Sequence, residues 1–145
     1  MSNQRLMELL VVDDDAGHAE LVRRNLVRAK ILMRTTAIDN GADALDYVRR
    51  LGPYADRPES HLLVLLDLRM PGMDGLEVLR RLKGDPATRP IPVVVLTTSD
   101  DPREVRECYE LGCSCFIRKP VDAEQFIEAI RRLGLFLAII SVPDS

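Results

Sequence analysis

Apolar residues occur along this chain in short runs separated by polar, turn-forming clusters. Leu6–Val12, Met33–Asp39, His61–Leu66, Pro92–Leu96 and Ser114–Ile117 read as strands. Between them the apolar positions recur at helical spacing. Asp15 to Lys30 carries Val22, Leu26 and Ala29 on one face, and Ala42–Leu51 carries Ala44, Leu45 and Val48. Leu76–Lys83 is a third helix, stopped by Gly84-Asp85-Pro86; Asp101–Leu111 is a fourth, with Pro102 suited to a first turn. A fifth opens at Asp122, an N-cap candidate with Gln125 three residues on, and lays Phe126, Ile130, Leu133 and Leu137 along its core stripe. Gly52–Ser60 is a surface loop and Met70–Gly75 an irregular one. Five strand–helix units predict an α/β fold, a doubly wound five-stranded parallel sheet with five helices. The most apolar strand, His61–Leu66, belongs at its centre; the less apolar Met33–Asp39 belongs nearer an edge.

Composition narrows the picture. At 145 residues, with 46% apolar and 30% charged positions, the chain suits one soluble globular domain. A formal charge of −3 argues against a nucleic-acid surface, which shows as a basic excess. The N-terminus runs directly into a strand, so no signal peptide is expected. The most apolar stretch, Leu133 to Val142, is short for a bilayer span and contains Gly134, so no membrane partner is expected and the location is cytoplasmic. No linker or repeat interrupts 1–145, so no output module is expected. Cys108, Cys113 and Cys115 form no Cys-x-x-Cys pair and read as small buried hydrophobes.

The chemistry lies at strand ends. In sheets of this kind the ligand crevice lies outside the carboxyl ends of the strands. Asp13 and Asp14 follow the first strand, Asp67 the third, Thr97 the fourth and Lys119 the fifth. Three carboxylates and an ammonium at one end of one sheet call for a divalent cation, a phosphoryl group, or both. Oxygen ligands with retained waters suit Mg²⁺. A carboxylate beside a metal can attack a phosphoryl group and form an acyl phosphate, while the metal and Lys119 spread the charge and Thr97 donates to a phosphoryl oxygen. Each residue alone has an ordinary alternative: an N-cap, a turn residue, a solvated charge. Their conjunction carries the reading.

Four segments resemble the receiver domain of two-component response regulators: Leu9-Leu-Val-Val-Asp-Asp-Asp15, Leu65-Leu-Asp-Leu-Arg-Met-Pro-Gly-Met-Asp-Gly75, Val93-Val-Val-Leu-Thr-Thr98 and Gly112-Cys-Ser-Cys-Phe-Ile-Arg-Lys-Pro120. The resemblance implies a flavodoxin-like strand order 2-1-3-4-5 and one receiver domain over 1–145. It implies a phosphoacceptor with slow autodephosphorylation rather than an enzyme, Asp67 taking phosphate from a sensor histidine kinase. It further implies Asp14 and Asp67 as direct Mg²⁺ ligands, Asp13 through water, and the backbone carbonyl of Arg69 as another. Thr97 and Phe116 match the family's switch pair, Lys119 its phosphate-contacting lysine, and the Lys119-Pro120 bond is expected to be cis. When Thr97 moves to bind phosphate, the Phe116 ring turns inward and reshapes the face made by the fourth helix, fifth strand and fifth helix. Phe116 stands where Tyr is frequent, so an output contact through that hydroxyl is absent. Arg69 and Ser99, two residues after Asp67 and Thr97, are expected to tune the lifetime of the acyl phosphate.

Further segments resemble the single-domain regulators that serve phytochrome-type histidine kinases: Leu51-Gly-Pro-Tyr-Ala-Asp56, Lys83-Gly-Asp-Pro-Ala87, Val95-Leu-Thr-Thr-Ser99, Tyr109-Glu-Leu-Gly-Cys113, Pro120-Val-Asp-Ala-Glu-Gln-Phe126 and Leu135-Phe-Leu-Ala-Ile-Ile-Ser-Val-Pro143, though that group often has Trp where Leu137 stands. Residues 134–145 read as an apolar extension of the last helix, with apolar surface on more than one side. A homodimer through the fourth helix, fifth strand and this extension is expected, with Leu135, Phe136, Ile139 and Ile140 at the interface. Signalling by protein contact and onward transfer to a histidine phosphotransfer protein both remain open. The alternative function is a Mg²⁺-dependent phosphohydrolase with an aspartyl-phosphate intermediate. Such enzymes place a second aspartate two residues after the nucleophile, and here that position is Arg69, although Asp13-x-Asp15 offers the spacing.

Overall fold

β1 (Leu6–Val12) coincides residue for residue with the first apolar run. In the computed structural model, which describes residues 6–31, 33–58, 60–70, 72–98, 101–118 and 124–132, it is joined by β2 (Arg34–Ile38), β3 (Ser60–Asp67), β4 (Val93–Thr97) and β5 (Cys115–Arg118). All neighbours pair in parallel, in the order β2-β1-β3-β4-β5. The most apolar strand, β3, is central, and β2 with its exposed Arg34 and Ala37 lies at an edge. The helices are α1 (Ala16–Arg28), α2 (Gly41–Arg49), α3 (Gly75–Gly84) and α4 (Pro102–Leu111), with residues 124–132 forming α5. The fold is flavodoxin-like.

Side-chain alternation along the strands builds two cores. Leu10, Val12, Val64, Leu66, Val93 and Val95 pack under α2, α3 and α4. Leu9, Val11, Leu63, Leu65, Val94 and Leu96 pack under α1 and α5, against Val22, Leu26, Phe126 and Ile130. A strand buried on both faces has no polar side to show, which explains why its residues form continuous apolar runs rather than alternating ones.

Apart from β1, the element ends depart from expectation by one or two residues, and capping explains the shifts at the helix starts. Asp15 and Asp101 stand just outside their helices, accepting hydrogen bonds from the Gly17 and Arg103 backbone N–H groups. Asn40 and Asp74 cap α2 and α3 in the same way, through the N–H groups of Asp43 and Glu77. A carboxylate or amide that satisfies an otherwise orphaned helix donor needs extended backbone, so it ends the loop rather than beginning the helix. The Gly52–Ser60 loop contains a short 3-10 turn, Gly52–Tyr54, and the Tyr54 ring meets Tyr47 edge-on at 5.1 Å. Cys108 and Cys113 are buried in the α2–α4 core, whereas Cys115 is only half-buried against the α1–α5 core; all three are free thiols. Among the described residues no helix is long and apolar enough to cross a membrane. Asp122, Leu133, Leu137 and the extension 134–145 lie outside the described residues.

Candidate functional site

β1 and β3 are neighbours in register, Val12 opposite Leu66, so Asp13, just past β1, and Asp67, the last residue of β3, emerge side by side. One carboxylate oxygen from each of Asp13, Asp14 and Asp67 lies within 4.8 Å of the others. Asp13 and Asp67 are buried, at 5% and 3% exposure, while Asp14 is exposed. The Asp13 N–H donates to the Ile38 carbonyl (3.1 Å), carrying the ladder with β2 one residue past β1. Its Oδ1 accepts from the Asp15 N–H (2.9 Å), and its Oδ2 lies 3.0 Å from His18 Nδ1. The other ring nitrogen of His18 is 3.5 Å from Asp15.

Asp67 is held by its own C-terminal neighbours in the chain. Its Oδ1 accepts the Arg69 N–H at 3.0 Å, and the Leu68 N–H extends the ladder to the Leu96 carbonyl at 2.9 Å. The first residue of α3, Gly75, then returns to β3: its N–H donates to the Leu68 carbonyl. A Cβ on Gly75 would stand 2.3 Å from the Asp67 carbonyl oxygen. Only glycine allows α3 to start this close to the end of the central strand.

The donor set suits a hard divalent cation. It offers carboxylate oxygens alone, neither thiolate nor imidazole, and two of the three side chains are withdrawn from water. Mg²⁺ and Mn²⁺ both match that chemistry. Thr97 closes β4, fully buried. It shares a sheet face with Phe116: Val95 pairs with Phe116 and Thr97 with Arg118, and Phe116 packs half-buried against the α2–α4 core. Arg69 donates from its guanidinium to Glu104, in the first turn of α4, at 3.1 Å. Lys119, Pro120 and Ser99 lie outside the described residues, as do Leu135, Phe136, Ile139 and Ile140.

Two contacts are not foreseen from the sequence. His18 falls in the first turn of α1, just past the cap at Asp15, so the helix start itself turns it back toward Asp13; the spacing held that signal. Glu104 meets Arg69 across 35 residues of chain, and no local pattern announces such a pair.

A family model described as the response regulator receiver domain matches residues 9–131. Response regulator PleD of Caulobacter vibrioides is 39% identical over 132 residues, 91% of this chain but 27% of PleD, so this chain spans about a quarter of that relative. Response regulator Rcp1 of Synechocystis is 32% identical over 136 residues, 93% of this chain and 92% of Rcp1. Among solved structures, the bacteriophytochrome response regulator RtBRR matches at a TM-score of 0.78 with 40% identity, over 89% of this chain and 78% of that one. The Mn²⁺-bound form of Rcp1 matches at 0.76 with 29% identity, over 96% and 97%.

Proposed function

Because this chain belongs to the response regulator receiver domain family of two-component signalling, we propose that Asp67 accepts a phosphoryl group from a sensor histidine kinase of the phytochrome type. The observation that carries the proposal is the convergence of Asp13, Asp14 and Asp67 at the carboxyl end of the central strands, beside a buried Thr97. The likeness to a bacteriophytochrome response regulator over most of both chains supports the kinase type. In the transfer, an Asp67 carboxylate oxygen attacks phosphorus as the phosphorus–nitrogen bond of the donor phosphohistidine breaks, returning the electron pair to the imidazole. The Arg69 N–H fixes the rotation of the attacking carboxylate. Asp13, Asp14, Asp67 and the Arg69 carbonyl would hold Mg²⁺, which when bound offsets the negative charge gathered on the transferring group.

Thr97 and Lys119 then bind the phosphoryl oxygens. The Thr97 hydroxyl leaves its buried position to do so, and the Phe116 ring fills the room behind it, on the same sheet face. That change is read at the α4–β5–α5 face, where a homodimer forms through the apolar extension with Leu135, Phe136, Ile139 and Ile140. Slow hydrolysis of the acyl phosphate, tuned by Arg69 and Ser99, resets the site. In this reading 1–145 is one receiver domain acting in the cytoplasm by protein contact or by onward transfer to a histidine phosphotransfer protein.

Intact mass spectrometry after incubation with Mg²⁺ and acetyl phosphate tests the reading. One labile phosphoryl adduct is expected on wild type and none on Asp67→Asn. Steady turnover of phosphate esters without an adduct would instead support the hydrolase.

A further inference from the structure

Resting on the phosphoacceptor reading of Asp67, we propose that Glu104 is a positioning residue for the dephosphorylation step. It engages the Arg69 guanidinium on α4, in competition with the phosphorylation site, and so sets the lifetime of the acyl phosphate. Arg69 is anchored at its backbone and exposed at its tip. Its N–H is fixed on Asp67 Oδ1 at 3.0 Å, whereas its side chain is 61% exposed and reaches Glu104 Oε2 at 3.1 Å. Glu104 is the more confined partner, with a side chain 23% exposed. Its second oxygen, Oε1, is buried without a hydrogen-bond partner among the described residues. The neighbouring acids of α4 have their own cations: Asp101 pairs with Arg103, and Glu107 with Arg80. Glu104 is thus the acid that Arg69 serves.

The pair borders a cavity of about 230 Å³, lined also by Leu68, Met70, Asp74 and Leu76. The guanidinium therefore has open space in which to swing, not a packed core. Phosphorylation replaces the single charge of the Asp67 carboxylate with a phosphoryl group of about −1.5 to −2 beside the Arg69 backbone. That group competes with Glu104 for the guanidinium, whose planar fork suits phosphoryl oxygens. Hydrolysis needs a water oxygen to attack phosphorus opposite the Asp67 ester oxygen. The phosphorus–oxygen bond to Asp67 then breaks, its electron pair stays on the carboxylate, and the water's protons leave with inorganic phosphate. A guanidinium laid over the phosphoryl group obstructs that approach. Glu104 competes for the same guanidinium, so it shortens the lifetime. The exchange also strips Glu104 of its counter-charge, which unsettles the first turn of α4 at the moment Asp67 is modified.

A double-mutant cycle on the full chain tests this. Wild type, Glu104→Gln, Arg69→Ala and the double variant are loaded with acetyl phosphate and Mg²⁺, freed of donor, and followed by intact mass. Exposed ion pairs set the expected scale: Glu104→Gln should lengthen the half-life by about two- to fivefold. In the Arg69→Ala background the same change should have no effect, which a merely structural role for Glu104 would not produce. An unchanged or shortened half-life in Glu104→Gln, or equal slowing with and without Arg69, overturns the proposal and leaves Asp67 phosphorylation standing. A wild-type chain that takes up no phosphoryl group overturns the phosphoacceptor reading and this inference with it. Adduct formation by each variant shows that its site is folded.

Discussion

Glu8 is a carboxyl group with 2% of its surface exposed, near the start of β1 and far from the aspartate cluster. Its Oε2 accepts from Thr36 Oγ1 and the Tyr47 hydroxyl, and its Oε1 from Ser60 Oγ at 2.9 Å. Arg57 stacks over the Tyr47 ring at 4.6 Å. Buried polar groups persist only when paired, so each of these hydroxyls contributes to stability. Tyr47→Phe removes one donor and should cost about 1–2 kcal/mol, read as a lower urea midpoint at unchanged slope. In the sequence Glu8 is one polar letter in a strand, and its partners lie 28, 39 and 52 residues away. A side chain satisfied only by residues distant in the chain leaves no local pattern. Cys108 and Cys113 are more legible, because small apolar residues beside strand and helix stripes belong to cores; Cys115 is only half-buried. Burial, then Glu104 and Glu107, pushes the Cys108 thiol from 9.0 to about 11, and burial, then Cys108, pushes Cys113 to about 12. Above pH 9 the unfolded chain loses thiol protons that the folded chain retains, so folding stability should fall as pH rises through that window. A Cys108→Ala, Cys113→Ala variant should lose less stability than wild type between about pH 8 and about pH 10 in the same denaturant titration.

Among the helices, α3 is the one whose placement decides the site. The absent Cβ of Gly75 lets α3 begin against the last residue of β3, where even a methyl group would press on the Asp67 carbonyl oxygen and the Leu68 Cα. Gly75→Ala must therefore push helix and strand apart. We expect a loss of about 1–3 kcal/mol and slower uptake of phosphate from acetyl phosphate, because the displaced backbone carries the nucleophile. At the other end of the same helix, a Cβ on Gly84 meets nothing within 4 Å. Gly84→Ala should stabilise by about 0.4–1 kcal/mol and leave phosphorylation unchanged; equal effects at the two glycines would refute the close-approach argument. The strands are readable because both faces of the sheet are covered, which writes them as unbroken apolar runs. The position of Asp13, Asp14 and Asp67 at one end comes from those runs alone, since parallel strands place all their carboxyl ends together. Helix starts are less readable: Asp74 reads as part of an irregular loop, yet its side chain accepts from the Glu77 N–H and opens α3. A cap is a matter of backbone conformation, which a single polar letter does not reveal.

Across the described fold, the topology separates charge along the strand direction. Helix starts and strand ends share one edge of the sheet, so Asp13, Asp14, Asp15, Asp39, Asp67, Asp74 and Asp101 gather there and outnumber Arg69, Arg103 and Arg118 among the described residues. Helix ends and strand starts share the opposite edge, which holds Arg28, Lys30, Arg34, Arg49, Arg50 and Arg57. Each sign complements the helix dipole at its own end, so capping and dipole effects that stabilise single helices add up to a polarised molecule. A net charge of −3 conceals this separation. Its consequence is kinetic, because a charged surface alters the encounter rate of a charged donor before any contact forms. Acetyl phosphate is an anion approaching the acidic end. Raising ionic strength from about 0.01 M to about 0.15 M shortens the screening length from roughly 30 to roughly 8 Å. Adduct formation should then accelerate at fixed Mg²⁺. Asp74→Asn with Asp101→Asn keeps a capping side chain at both helix starts while removing two charges outside the metal cluster, so this variant should react faster at low salt and respond less to added salt. A wild-type rate that is flat, or that falls, would mean that the bound cation already cancels the field. A rising rate would mean that the acidic end repels an approaching anion even with the cation bound.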